Sequence, residues 1–155
     1  MLRDETSVDP FTEFMREAEP RIRRALTAAF GSQVGREATA EAVSYGWQYW
    51  GRVGVMENPT GYLFRVGQHK ARRMRQRREP VDQMSSGPED PWIEPGLAPA
   101  MERLSERQRT VVSLLHAFDW TMSEVAELLG LSKASVQTYE ARAMKKLKSA
   151  LGVQQ

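Results

Sequence analysis

The residues best able to do chemistry in this chain are cations on one predicted helix. Seven Lys and Arg residues, and not one Asp or Glu, occupy positions 65–78. On a helical wheel, apolar and small residues take one side of this segment and polar residues take the other. The polar side carries Tyr62, Arg65, Gln68, His69, Arg72, Arg73 and Gln76.

A solvated basic face is the ordinary interpretation of such a charge run. A solvated helix face normally mixes signs, however, because like charges four residues apart destabilise a helix. The uncompensated cations therefore favour an anionic occupant. Phosphates fit this face, and Tyr62 beside the cations could stack on an unpaired base.

A second polar face is predicted near the C-terminus. A capping box at Thr121 begins one helix, Gly130 fits the left-handed position at its end, and Ser132 caps the last helix. The spacing of Ala126, Gly130 and Val136 is typical of a helix-turn-helix, in which a small residue allows close helix crossing and Val anchors the second helix. A plain helical hairpin is the alternative, and the two capped helices with a short Gly turn favour the helix-turn-helix.

With Val136 on the inner side, the outer face of the last helix is polar, small and cationic. Such groups suit base edges and phosphates in a major groove. The outward residues are Lys133, Gln137, Thr138, Ala141, Arg142 and Lys145.

Composition excludes several other kinds of site. The chain has no Cys and only two His, which excludes disulfides, thiolate metal sites and a poly-histidine metal site. We find no Gly-rich phosphate loop and no nucleophile elbow, and therefore expect no catalytic residues, no cofactor and no metal. The N-terminus lacks a secretion signal and the longest apolar stretch, 111–118, is too short to cross a membrane, so we expect a cytoplasmic protein without membrane insertion.

Charge divides the chain into three blocks. Residues 1–78 carry a net charge of +5, residues 79–100 carry −5, and residues 101–155 carry +2. The middle block holds five of the eight prolines and no cation, which predicts a stiff, extended linker without regular structure. Helical periodicity on both sides predicts an all-α fold of two small domains, 1–78 and 101–155, joined by the acidic linker 79–100.

Within the first block, Asp9 caps a helix that has proline at its first position. Pro20 lies inside that helix and is expected to kink it or split it in two. A loop is predicted over 51–59, with Thr60 opening the basic helix. The tryptophans at helical spacing or beside a cap are expected to pack in the core; these are Trp47, Trp50 and Trp120.

Taken together, these segments resemble a known family. The run 104–151 is similar to region four of bacterial sigma factors of the extracytoplasmic-function group, within the sigma-70 family. The runs 13–26, 36–53 and 57–78 are similar to region two of the same group. The order of the two regions and the Pro-rich acidic linker between them also match.

The resemblance implies a promoter-recognition subunit of RNA polymerase that is not itself an enzyme. Region two would dock on the clamp helices of the largest polymerase subunit and open the minus-ten element, and region four would lie at the polymerase flap and read the minus-thirty-five element. The implied polymerase contacts are Glu41 and Trp47, on the helix 36–50. The loop 52–59 would hold a base flipped from the non-template strand.

The resemblance also implies two sets of DNA contacts. The minus-ten strand would lie along Tyr62, Arg65, His69, Arg72 and Arg73. The minus-thirty-five element would meet Lys133, Gln137, Thr138 and Arg142. The partners implied are core RNA polymerase, promoter DNA and an anti-sigma protein of the kind that many relatives have. The alternative is a stand-alone helix-turn-helix regulator that binds DNA without core polymerase.

Overall fold

The computed structural model describes residues 8–77 and 96–152, and all regular structure in these ranges is helical. The elements are α1 (Pro10–Phe30), α2 (Ser32–Gln48), α3 (Trp50–Val53), α4 (Pro59–Arg77), α5 (Leu97–Glu102), α6 (Glu106–Val112), a π-helical turn (Ser113–Ala117), α7 (Met122–Leu129) and α8 (Lys133–Ala150). The predicted all-α fold class is confirmed. We refer to α1–α4 as the N-terminal bundle and to α5–α8 as the C-terminal bundle.

The start of α1 is the one that the sequence predicts. The carboxylate of Asp9 accepts hydrogen bonds from the backbone N–H groups of Phe11 and Thr12 at 3.4 and 3.1 Å. These bonds satisfy donors that a helix leaves unpaired in its first turn. The expected split at Pro20 is wrong, because α1 runs as one helix of 21 residues past that proline. The buried residues on either side, such as Ala18 and Ile22, hold both halves on the same core.

Close helix approaches position the basic helix α4. A Cβ added to Gly67 of α4 would lie 2.6 Å from Cδ1 of Leu26 in α1 and 3.5 Å from Cβ of Ala42 in α2. A Cβ added to Gly35 of α2 would lie equally close, 2.6 Å from Cα of Thr27 in α1. Glycine at these positions lets α4 and α2 lie directly against α1, which is why the apolar side of α4 is buried and its polar side faces outward.

The loop between α2 and α4 is shorter than the sequence predicts. Residues 50–53 form the helix α3, and α4 begins at Pro59, one residue before Thr60. The side-chain oxygen of Asn58 accepts from the N–H of Gly61 at 3.0 Å and so caps α4. The predicted 51–59 loop therefore reduces to the turn 54–58, in which Val55 is 84% exposed.

The predicted linker lies largely outside the described residues. Its last residues, from Leu97 onward, form α5, so the expectation of no regular structure up to Ala100 is wrong at that end. Pro99 lies within the first turn of α5, where the missing N–H removes no intrahelical bond. Ala100 is buried in a small cluster with Leu104, Ala143 and Leu147, which fixes α5 on α8.

The two bundles share one apolar core. Val111, Leu114 and Trp120 of the C-terminal bundle belong to the same buried cluster as Ile22 and Phe64 of the N-terminal bundle. Before Trp120 the chain turns at Asp119, which has a φ of 57° and follows the π-helical turn. In the described ranges, no helix combines the length and the apolar character needed to cross a membrane.

Candidate nucleic-acid interfaces

The turn between α7 and α8 has the geometry that the sequence predicts. Thr121 and Glu124 form a reciprocal capping box at 3.0 and 3.1 Å. Gly130 has a φ of 68° and ψ of 36°, a left-handed conformation that glycine adopts without a side-chain penalty. The N–H of Leu131 bonds the carbonyl of Ala126 at 2.9 Å and closes the turn.

Helix α8 presents the predicted outer face. Ser132 caps it by accepting from the N–H of Ser135 at 3.1 Å. Val136, fully buried, anchors α8 to the core, and Ala143 and Leu147 are buried about two and three turns further along. All four predicted minus-thirty-five contacts lie on the exposed side: Lys133, Gln137, Thr138 and Arg142. The arrangement gives an exposed polar and cationic helix face, held by a rigid turn, of the kind that enters a major groove.

The polar side of α4 is also mostly exposed. Arg65, His69, Arg72 and Arg73 are exposed, and Tyr62 is half-buried. Tyr62, Arg65, Val66, His69 and Lys70 line an open groove of about 470 Å³ together with Tyr45 of α2. The structure thus brings the five predicted minus-ten residues onto one helix face, with an aromatic end and a cationic end.

The aromatic end is a hydrogen-bonded cluster that the sequence did not lead us to expect. The hydroxyls of Tyr45 and Tyr62 are 3.0 Å apart, and Nη2 of Arg52 donates to the Tyr45 hydroxyl at 2.7 Å. The hydrogen bond with Tyr45, followed by burial, raises the pKa of Tyr62. Arg52 also lies over the ring of Tyr49, at 5.1 Å from its centre. The four-residue spacing of Tyr45, near the end of α2, and Tyr49, the residue that follows α2, is the sequence signal that could have found them.

Arg72 of this face already has hydrogen bonds in the C-terminal bundle, and Arg65 lies close to that bundle. Nε and Nη2 of Arg72 donate to the carboxylate of Glu106 at 3.2 and 2.9 Å, and Gln68 donates to the same carboxylate at 3.0 Å. A Cβ built on Gly130 would lie 3.2 Å from Nη1 of Arg65. No sequence pattern pointed to Glu106, because it lies 34 residues beyond Arg72 and meets it only in the folded chain.

The two predicted polymerase contacts lie on α2 but have different surroundings. Glu41 is half exposed and its carboxylate lies 3.5 Å from Nζ of Lys70. Trp47 is 63% exposed, so the expectation that it packs in the core is wrong. Trp120 is buried, and Trp50 is half-buried against Phe11 and Phe14, as expected of core aromatics.

Trp47 forms one wall of a groove between α1 and α2. Its ring meets Phe11 edge-on at 5.4 Å between ring centres. The groove has a volume of about 590 Å³, and Val43 and Ala40 add to its apolar lining. Glu19 and Arg23 also line it and supply charge. An exposed aromatic beside an apolar groove that carries charged residues is typical of a protein-binding surface.

Residues 8–77 and 96–152 contain no cluster of three or more His, Asp or Glu side chains that could hold a metal ion. Several carboxylates in this part of the chain have structural partners, and Glu124 is one of them. Hydrogen bonds from Thr121 hold the pKa of Glu124 below its usual value, and Arg21 at 2.9 Å acts in the same direction.

The C-terminal bundle matches a known family. Residues 97–147 match the family described as sigma-70, region 4. The RNA polymerase sigma-F factor of Bacillus subtilis is 36% identical over 69 residues, which are 44% of this chain and 27% of that protein. The sigma-F factor of Bacillus licheniformis is 34% identical over 70 residues, 44% of this chain and 28% of that protein. The chain therefore matches only about a quarter of the length of these curated relatives.

Solved structures extend the likeness to nearly the whole chain at the level of fold. The sigma factor RpoE from Bartonella quintana, solved with the anti-sigma factor NepR, aligns with a TM-score of 0.68 at 16% identity. The alignment covers 96% of this chain and all of that one. CnrH, solved with the cytosolic domain of CnrY, aligns with a TM-score of 0.60 at 19% identity over 94% of this chain and 89% of that one.

Proposed function

We propose that this protein is a sigma factor that directs core RNA polymerase to specific promoters, because residues 97–147 match the sigma-70 region 4 family and nearly the whole chain aligns with the fold of a solved sigma factor. It acts by binding and has no catalytic reaction of its own. One observation carries the proposal. A single chain exposes two separate nucleic-acid faces, a helix-turn-helix on α8 and a cationic helix with an aromatic end on α4.

In this proposal α8 reads the minus-thirty-five element in duplex DNA. Gln137, Thr138 and Arg142 contact base edges from the exposed face, and Lys133 at the first turn meets the backbone. The cap at Ser132 leaves other first-turn N–H groups of α8 free to point toward the phosphates, as expected of a helix N-terminus.

Helix α4 then holds the opened minus-ten strand. Arg65, Arg72 and Arg73 are spaced to follow a phosphate backbone, and His69 lies between them on the same face. Tyr62 supplies a ring beside the groove, where a base separated from its partner can stack. The turn 54–58, which precedes α4, lies at the end of the helix where a flipped base would sit.

In this proposal the exposed side of α2 binds protein partners. Trp47 and Glu41 on α2 are proposed to meet the clamp helices of polymerase, and the groove beside Trp47 offers an apolar seat for a partner side chain. Both aligned structures are of complexes, one explicitly of a sigma factor with an anti-sigma factor. We therefore also propose an anti-sigma partner and a cytoplasmic location. The units proposed are region two over 1–78, the acidic linker 79–100 and region four over 101–155.

The proposal is tested by mixing the purified chain with core polymerase. Co-elution on gel filtration, together with new transcripts whose start sites share upstream elements, is the expected result. Tight binding to a duplex operator without any binding to polymerase would instead identify a stand-alone regulator and overturn the proposal.

A charge-reversal variant tests the role of α4 within the holoenzyme. Replacing Arg65, Arg72 and Arg73 by Glu should abolish strand opening, measured by permanganate reactivity of thymines, while polymerase co-elution persists. The matched control changes the net charge equally on exposed arginines away from α4: Arg16, Arg24 and Arg103 to Glu. Equal loss of opening and of polymerase binding in the α4 variant would show that this face has been assigned the wrong partner.

A further inference from the structure

Arg52 of α3 is linked through hydrogen bonds to the groove that Tyr62 lines. Nη2 of Arg52 donates to the hydroxyl of Tyr45 in α2 at 2.7 Å, and that hydroxyl lies 3.0 Å from the hydroxyl of Tyr62 in α4. A guanidinium carries only donors, so the Tyr45 oxygen is the acceptor of the Arg52 bond. The three side chains therefore form one hydrogen-bonded chain that begins at α3 and ends at the wall of the groove.

The guanidinium of Arg52 is held on two sides. Its Nη2 bonds Tyr45, and its face lies over the ring of Tyr49 at 5.1 Å from the ring centre. The backbone of α3 is fixed as well, because the next residue, Val53, is fully buried. Arg52 is thus presented to Tyr45 by a short helix that cannot shift without disturbing the core.

This chain of hydrogen bonds fixes the Tyr62 ring at its far end. Tyr62 lies in the first turn of α4, so the helix holds its Cα, and the bond with Tyr45 holds its hydroxyl. The centres of the two rings are 6.1 Å apart, and this contact limits tilting of the Tyr62 ring. A ring held at both ends has its orientation before a strand arrives, so less side-chain entropy is lost when a base binds.

From this arrangement we propose that Arg52 and Tyr45 are positioning residues for strand binding, which hold the Tyr62 ring in the orientation in which an unpaired base stacks on it. The inference rests on the strand-binding role proposed above for α4. Arg52 acts through Tyr45 and Tyr62 and not by touching phosphate, although it is a cation just before the turn 54–58. Loss of Arg52 is therefore expected to weaken contact with bases and to leave contact with phosphates unchanged.

The groove provides separate contacts for base and phosphate. Tyr45 and Tyr62 line its aromatic end, and Arg65, about one turn further along α4, lines it as well. Lys70 is a second cation of the groove, and its Nζ lies 3.5 Å from the carboxylate of Glu41. A strand in this groove meets the rings with its bases and Arg65 with its phosphates, so the two contacts can be measured separately.

The test compares two single strands that have the same phosphates. The first is a fluorescent oligonucleotide of about 12 nucleotides, within the range that one small strand-binding module covers, and the second has abasic sites throughout its centre. The full chain is titrated against each strand by anisotropy at about 0.1 M salt, where charges more than about 10 Å apart are largely screened. Tyr62→Ala sets the scale, because it should weaken binding of the base-bearing strand about 10-fold and of the abasic strand less than about twofold.

Two variants interrupt the hydrogen-bonded chain. Arg52→Gln and Tyr45→Phe should each weaken binding of the base-bearing strand about 3- to 10-fold, the factor expected when one side chain has to be ordered on binding, and of the abasic strand less than about twofold. Arg52 is exposed and Tyr45 is half-buried, so both variants are expected to fold. The matched controls are Arg16→Gln, at an exposed arginine of α1, and Tyr139→Phe, at a tyrosine of α8. Each control should change the affinity for either strand less than about twofold.

A double variant distinguishes positioning from a direct phosphate contact. If Arg52 acts through Tyr45, adding Arg52→Gln to Tyr45→Phe should weaken binding no more than about 1.5-fold beyond Tyr45→Phe alone. A direct contact with phosphate would instead give the full loss in both backgrounds and with both strands. That result, or unchanged affinity for the base-bearing strand in both single variants, overturns the positioning proposal.

The same titrations separate this inference from the functions proposed above. A loss of base-dependent binding in Tyr62→Ala, without a loss in Arg52→Gln and Tyr45→Phe, would refute positioning and leave strand binding by α4 intact. A wild-type chain that binds the base-bearing strand no more tightly than the abasic strand would refute the strand-binding role together with positioning. Co-elution with core polymerase tests the sigma assignment without any strand present.

Discussion

Replacing Gly67 by Ala tests whether close packing positions the basic helix. Gly67 lies in the middle of α4 on its buried side, against Leu26 of α1. An added Cβ would come within 2.6 Å of Cδ1 of Leu26 and 3.4 Å of the carbonyl oxygen of Ala38. The first distance is far below van der Waals contact, so α4 or Leu26 must move.

Two effects of opposite sign decide how Gly67→Ala changes the free energy of unfolding. Alanine in a helix interior is favoured over glycine by about 1 kcal/mol. Overpacking a filled core costs about 1–3 kcal/mol, and Leu26 is fully buried and cannot turn into solvent, which places the cost in the upper part of that range. We therefore expect Gly67→Ala to lower the free energy of unfolding by about 1–2 kcal/mol.

The measurement is urea unfolding followed by tryptophan fluorescence, with the midpoint and slope fitted for each variant. Gly51→Ala is the matched control, because nothing lies within 4 Å of a Cβ at Gly51 in α3 and the same substitution there should be neutral or stabilising. Leu26→Val combined with Gly67→Ala should be more stable than the sum of the single changes predicts, by about 1 kcal/mol, because valine withdraws the clashing Cδ atoms.

Gly67→Ala variants as stable as the wild type, or strict additivity in the double variant, would refute the packing explanation. In that case α4 would be free to shift on α1, and its cationic face would not be fixed by Gly67. A stable Gly67→Ala chain with reduced strand opening would separate positioning of α4 from overall stability.

Three further predictions concern the capping and hydrogen-bonding groups of the two faces. Gly130→Ala should destabilise the fold by about 1–2 kcal/mol and weaken duplex binding, because a Cβ is disfavoured at a φ of 68°. Thermal unfolding measures the first effect and duplex anisotropy the second, and an unchanged melting temperature would contradict the prediction. Glu124→Gln keeps the capping bonds and removes a carboxylate whose pKa is lowered by folding. Above pH 4.5 the free energy of unfolding of the wild type should therefore exceed that of the variant by about 0.3–1 kcal/mol, and the difference should close as the pH falls through the lowered pKa. The control Glu13→Gln should show no comparable difference. Tyr45→Phe should bring the pKa of Tyr62 back down toward 10.0. A pH titration of the ultraviolet absorbance of phenolate measures this pKa, and an unaltered titration would show that the hydrogen bond between the two hydroxyls does not raise it.

Much of the DNA-reading helix could be predicted from the sequence, because its determinants are local. A helix cap needs Ser or Thr at one position and a helix end needs glycine at another, so Thr121, Gly130 and Ser132 are enough to define the turn. With Val136 on the inner side, the 3.6-residue period fixes which residues of α8 face outward. Local hydrogen bonding and periodicity require no knowledge of the rest of the chain.

Features that depend on neighbours distant in sequence could not be predicted. Trp47 shares the helical spacing of a core residue, and only the packing of α1 on α2 decides that it forms an exposed groove wall rather than core. Pro20 would break an isolated helix, yet buried contacts on both sides of it hold α1 continuous. At Pro20 the burial of a whole helix face outweighs intrinsic helix propensity.

The sequence by itself determined the helical class, the two cationic faces and the turn that presents α8, because each follows from residue types a few positions apart. Only the tertiary structure decided what those faces meet. Glu106 reaches Arg72, and Glu124 reaches Arg21, across separations of 34 and 103 residues. A carboxylate pairs with a guanidinium distant in sequence only when chain folding brings the two together, and no local pattern records that encounter.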